Sequence, residues 1–184
     1  MLNLWDTICL PKKLLEVVSI PNTLYKSQQG KYFVGQTESL IFSNTTNAWG
    51  GLFNPTDSGV NLFANVYTIS NFSNAPILAQ LWFNTTPPGT GSKSTKFSPS
   101  DTALLKPPVP KVEIRYQENV SDVPSGGVNV FDRIVPPGTT LVSEEDGKLI
   151  FPSGGNLVLF LSALEPAIDS YEALIAFGWW EDKK

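Results

Sequence analysis

The chain has no histidine, one cysteine (Cys9) and one methionine (Met1) in its 184 residues. Without an imidazole, the side chain best suited to moving protons at neutral pH is missing. Ser-His-Asp and Cys-His nucleophilic arrangements are therefore excluded, and a zinc site of the usual nitrogen and sulfur donors has too few ligands. A lone cysteine has no intrachain disulfide partner. Cys9 lies in an apolar stretch with no activating base in sequence, the setting of an inert thiol. Charge is scarce too, 16% of residues against about 25% in ordinary soluble domains. The 13 Lys and Arg are scattered and the net charge is −4, so no basic stripe is available to follow a phosphate backbone. No apolar run approaches the ~20 residues of a membrane-spanning helix. No basic region precedes the N-terminal apolar stretch, which Asp6 interrupts and Pro11 ends, so no signal peptide is expected. Neither enzymatic activity nor a cofactor is expected from this inventory.

What the chain does have is aromatics and alternation. It carries five Trp, five Tyr and eleven Phe. In Lys111–Tyr116, Val112, Ile114 and Tyr116 alternate with Lys111, Glu113 and Arg115, the period-two pattern of a half-buried strand. Val60–Asn71, Ile77–Asn84, Val128–Val135, Thr140–Ser143, Lys148–Phe151, Asn156–Ser162 and Tyr171–Trp179 are further strand candidates. Turn signals separate them, among them Asn54-Pro55, Pro87-Pro88-Gly89, Ser125-Gly126-Gly127 and Pro136-Pro137-Gly138. Asp146-Gly147 predicts a tight hairpin between two strands. Many short strands at this spacing predict a sandwich or barrel. The long connections Thr85–Asp101 and Gln117–Gly127 favour an all-β, jelly-roll-like two-sheet sandwich. Its expected core includes Leu62, Val66, Leu81, Ile114, Val130, Leu157, Leu159 and Ile175.

Two units are expected: an N-terminal arm and hinge over residues 1–30, and a β-sandwich body over residues 31–184. The arm is apolar, broken by Pro11 and Pro21, and too short to make its own core. Lys12–Ser19 fits a helix or a strand equally. Pro21–Gly30 is polar and reads as a hinge. Trp5, Ile8, Leu14, Leu15, Val17 and Val18 must be buried somewhere. They are the candidate subunit interface if the arm docks on a neighbouring copy, and an ordinary cover if it docks on its own body.

Among the aromatics, Trp82 and Trp180 are the candidates for exposed contacts to a sugar or a protein. In Phe177-Gly178-Trp179-Trp180-Glu181 adjacent residues point to opposite faces of a strand, so one tryptophan enters the core and the other faces out. Trp49-Gly50-Gly51-Leu52-Phe53 reads as a bulge or corner capped by Trp49. No GK[ST] follows its glycines, so it is no phosphate loop. Glu144-Glu145-Asp146 is a solvated acidic turn. Its carboxylates could contribute to the roughly 6–8 oxygens that Ca²⁺ takes, but no EF-hand or repeat-type calcium spacing is present.

The run Gly126-Gly127-Val128-Asn129-Val130-Phe131-Asp132-Arg133-Ile134-Val135-Pro136-Pro137-Gly138-Thr139-Thr140 resembles an uncharacterised family of spore-forming Firmicutes. So do Gly30-Lys31-Tyr32-Phe33-Val34-Gly35-Gln36-Thr37 and Ala176-Phe177-Gly178-Trp179-Trp180-Glu181. The resemblance covers most of the chain and brings no assigned activity. In layout, an apolar arm before an all-β body, the chain also resembles endospore-appendage subunits. Those have a flexible arm and a jelly-roll body, and polymerise by inserting the arm into neighbours. They cross-link through several cysteines in arm and body, whereas here Cys9 has no body partner. This resemblance implies a self-assembling structural protein, a filament or surface component whose partner is itself. The alternative is a carbohydrate- or protein-binding module, including a phage-type fibre domain.

Overall fold

The computed structural model describes residues 17–165 and 169–183. Of the candidate arm residues, Trp5, Ile8, Leu14 and Leu15 lie outside them, as does Cys9. One helix, α1 (Asn22–Gln28), precedes twelve strands. These are β1 (Tyr32–Gln36), β2 (Leu40–Phe42), β3 (Asn47–Phe53), β4 (Val60–Asn71), β5 (Ile77–Phe83), β6 (Ser92–Lys93), β7 (Phe97–Pro99), β8 (Glu113–Val120), β9 (Val128–Val135), β10 (Thr140–Phe151), β11 (Asn156–Ala163) and β12 (Tyr171–Lys183).

The strands form two antiparallel sheets. Sheet A runs β10-β4-β12-β1-β7, with β2 also on β12, and sheet B runs β6-β8-β3-β11-β5-β9. Four nested pairs generate this order: β1 with β12, β3 with β11, β4 with β10 and β5 with β9. A chain paired first-with-last in this way and then rolled up is a jelly roll, the architecture expected from the long connections. The connection from β5 to β9 carries the extra strands, β6 and β8 extending sheet B and β7 extending sheet A.

The core between the sheets follows the alternation. Leu62, Leu81, Ile114, Leu157, Leu159 and Ile175 are buried, and Val130 packs half-buried against them. Val66 is the exception. In β4 the inward set is Leu62 and Ala64, then Tyr67 and Ile69, because Asn65 is one residue too many against β12, where Gly178 pairs with Val66 and Trp179 with Ala64. A bulge of this kind reverses which residues face the core. It sends Val66 and Thr68 to the outer face.

The same place in the sheet overturns the expected hairpin. Thr140–Phe151 is one strand that pairs with β4 at both ends, Thr140–Glu144 and Leu149–Phe151, and Asp146-Gly147 sits in the four-residue bulge between them. Asp146 and Gly147 have φ of 50° and 71°, the left-handed values that the turn-forming dipeptide accepts. They are used here to fold the bulge over Trp180. A Cβ on Gly147 would fall 1.7 Å from the indole. Gly147→Val is therefore expected to expose Trp180 and lower the melting temperature. An unchanged melting temperature and tryptophan emission would refute that role.

Trp49–Phe53 is likewise no corner. It is the central strand β3, between β8 and β11. Gly51 is required there by close approach, since a Cβ would lie 2.4 Å from the Leu157 carbonyl oxygen. Trp49 turns away from the main core into a second cluster with Val158, Phe160 and Val120, flanked by Phe53 and Trp82. This cluster lies on the outer face of sheet B. The β5–β9 connection helps cover it, and the Trp49 indole N–H donates to the Pro88 carbonyl at 2.7 Å. β11 is thus buried on both faces, which explains its unbroken apolar run Leu157–Leu161.

Candidate functional site

The polar stretch read as a hinge is instead helix α1, tied to the body. Lys26 and Lys31 both donate to the Asp182 carboxylate, at 2.5 and 3.0 Å. The Ser27 and Ser100 hydroxyls lie 2.7 Å apart in hydrogen-bond contact. Burial pushes the Asp182 carboxyl up, but the bonds and charges of Lys26 and Lys31 outweigh it and hold the group below its ordinary value. A depressed carboxyl stabilises the fold above its unfolded pKa and loses that contribution as the pH falls through its folded pKa. Asp182→Asn is therefore expected to cost no more than about 1 kcal/mol near neutrality, because the pair is partly solvated. The difference from wild type should vanish well below pH 3.8, the ordinary value of this group. Denaturant unfolding across pH, with hydrogen exchange of the α1 amides, measures it. An equal loss at every pH would refute the ion pair's part.

Next to Asp182, Glu181 points the other way, into the molecule. Its carboxylate accepts the Lys111 and Val112 backbone N–H groups and the Trp179 indole N–H. Burial, only partly offset by these bonds, raises its pKa. Its stability contribution therefore has the opposite sign with pH: full below the unfolded pKa, and lost as the pH rises through the folded one. The arrangement clamps the segment before β8 to β12. It offers no free acid to a substrate.

Just before α1, Val17 is 86% and Val18 74% exposed. Both side chains proposed from sequence as arm contacts are thus unburied in a single copy. Trp180 corrects the expectation of an exposed aromatic. It is only 3% exposed, stacked between Phe63 and Tyr32 at ring distances of 5.2 and 6.4 Å and roofed by Gly147. Trp179 takes the inward position and stacks on Phe33 at 5.8 Å. Trp82 is half-buried against the second cluster.

A broad depression lies on the outer face of sheet A, near the Trp180 stack. It is an open groove of about 630 Å³ bounded by Val34, Val66, Thr68, Ala176 and Gly178, with Lys96–Ser98 along its β7 edge. Its lining is predominantly apolar, and Val34 is 43% exposed. Lys96, the lining cation, is paired with Glu38. The alternation of sequence could have found Val34, but the β4 bulge that puts Val66 and Thr68 on this face left no readable signal.

Smaller depressions of about 270 Å³ lie at the end of sheet B, near Phe53, Thr85, Thr86 and Arg115 and near Asn54 and Gly154. Their polar groups are largely committed internally. Asn156 bonds both the N–H and the carbonyl of Thr85, the Thr85 hydroxyl donates to the Ser125 carbonyl, and Arg115 bonds Glu113. Such groups hold the loops together. Among the described residues, no group of three or more Asp, Glu, Cys or His could hold a metal ion, and no helix is long and apolar enough to cross a membrane.

Residues 6–184 match the DUF6143 family, a family of unknown function, and the chain belongs to it. No curated protein and no solved structure matches the chain.

Proposed function

We propose that this member of the family is a structural, self-assembling protein, in which the apolar N-terminal segment of one copy docks on the body of another. The observation that supports the reading is that, among the described residues, the core of the jelly roll draws on nothing before Phe33. Its four nested strand pairs are complete and its inward positions are filled. Val17 and Val18, which follow Trp5 and the leucines in the chain, are exposed, which supports an apolar segment that finds its cover on another copy. A contact between one part of a copy and a different part of the next is heterologous, and such contacts propagate into rings or open filaments. The resemblance to endospore-appendage subunits supports the same layout and suggests a spore or cell surface as the setting.

Negative-stain microscopy and light scattering of the purified protein test this. Fibres, rings or a large particle are expected. A monomer at high concentration would leave the binding-module alternative in front. Retarded mobility in polysaccharide gels would then identify carbohydrate as its ligand.

A further inference from the structure

An assembling jelly roll can join its neighbours through sheet edges or through sheet faces. The edges here are poor templates. β7 has three residues and ends in Pro99, and β6 has two. β10 is broken by the bulge at Glu145–Lys148. β9 has its own register shift at Val130 and carries Asp132 and Arg133. Short strands, proline, bulges and charges are the devices that block edge pairing. The outer face of sheet A is different. Exposed Val34, Val142 and Ile150 stand on it, and the groove between Val34, Val66, Thr68 and Ala176 is its deepest part.

Helix α1, which follows the N-terminal segment in the chain, is held on the same face. Trp180 stacks on the outer side of sheet A with Phe63 and Tyr32, so Asp182, two residues on, points to that side as well. Lys26 is held on Asp182. From Asp182 to Gly178 on the groove floor is four residues along β12, roughly 13 Å. The sixteen residues that precede the described chain span at most about 55 Å when extended, enough to cross to an adjacent copy.

We infer that this groove is the acceptor for the apolar segment Leu2–Leu15 of a second copy, so that copies join segment-to-face and not edge-to-edge. The inference rests on the assembly reading above and names its receiving surface. Leucine side chains suit a groove of this kind, which is open and mostly apolar, with Thr68, Lys96 and Ser98 as polar groups along its walls.

Cys9 makes the test direct, because it is the chain's single thiol. Val34→Cys in the full-length protein adds one thiol at the rim of the groove, and Ile134→Cys adds one at the exposed β9 edge as a control. Each variant is oxidised and run on a non-reducing gel, with circular dichroism confirming β structure. The expected result is a ladder of multimers for Val34→Cys, with Cys9 joined to the introduced thiol by peptide mass mapping, against Cys9–Cys9 dimers at most in wild type. Three results overturn the inference. Linkage within one chain places the segment in its own groove. A ladder in Ile134→Cys alone makes the edge the acceptor. Multimers by light scattering without any linkage at position 34 leave assembly standing and remove the groove. Should Val34→Cys lose its β spectrum, Thr68→Cys on the opposite wall takes its place with the same outcomes. Failure of assembly itself is read separately, as a monomeric wild-type protein in light scattering.

Discussion

Deleting Leu2–Ile20 is expected to convert an assembled protein into a folded monomer. The segment removed carries Trp5, Ile8, Leu14 and Leu15, while α1 and every strand of the roll are retained. Burying side chains of this size contributes about 1.5–3 kcal/mol each. Several together can exceed the cost of immobilising one copy on another, estimated at about 4–15 kcal/mol. Losing them therefore dissociates the assembly, whereas the melting temperature of the body changes little because its core is complete. Light scattering and a thermal melt on the two proteins decide the matter. If full-length and truncated chains are both monomers at high concentration, the assembly reading fails. If both remain assembled, the contact lies elsewhere on the body. If the truncated chain unfolds, the segment is part of its own subunit's core. Cys9→Ser should leave assembly intact, since the wild-type chain offers that thiol no second kind of cysteine.

The largest loss of stability is expected from Trp179→Ala, about 3–5 kcal/mol for a fully buried tryptophan. Trp179 is 0% exposed and stacks on Phe33. Its indole N–H is also one of the donors to buried Glu181, 3.2 Å from the carboxylate. The variant therefore leaves a cavity and a buried acid with one donor fewer, which adds to the cost. Trp82→Ala should cost less, because that ring is only half-buried at the margin of the second cluster. Urea unfolding measured by circular dichroism ranks the two. A loss at Trp179 under about 1 kcal/mol would contradict its place at the centre of the core.

Chemistry by imidazole is closed to this chain whatever its fold, because the sequence holds no histidine. The all-β class was equally legible, as strand alternation depends on neighbours in sequence: a period of two exposes one face and buries the other. Leu81, Ile114, Leu157, Leu159 and Ile175 could be placed in the core on that ground alone. Sequence also marked the N-terminal segment as apolar and broken by Pro11 and Pro21, although Lys12–Ser19 fits a helix or a strand equally.

Tertiary structure decided what local pattern leaves open. Asp146-Gly147 favours left-handed backbone in a hairpin or in a bulge alike, and only pairing with β4, more than seventy residues away, selects the bulge. Val66 reads as inward until Asn65 is found to lack a partner on β12, and that single unpaired residue turns it and Thr68 out to form the wall of the groove. Trp180 obeys the alternation and faces outward, yet Gly147, Phe63 and Tyr32 converge to cover it. Polar Asn22–Gln28 carries no inward-facing stripe, and its helix is held at Asp182 on the last strand of the chain. In each case the deciding contact joins residues far apart in the chain, and no local periodicity encodes which distant partner a residue will meet.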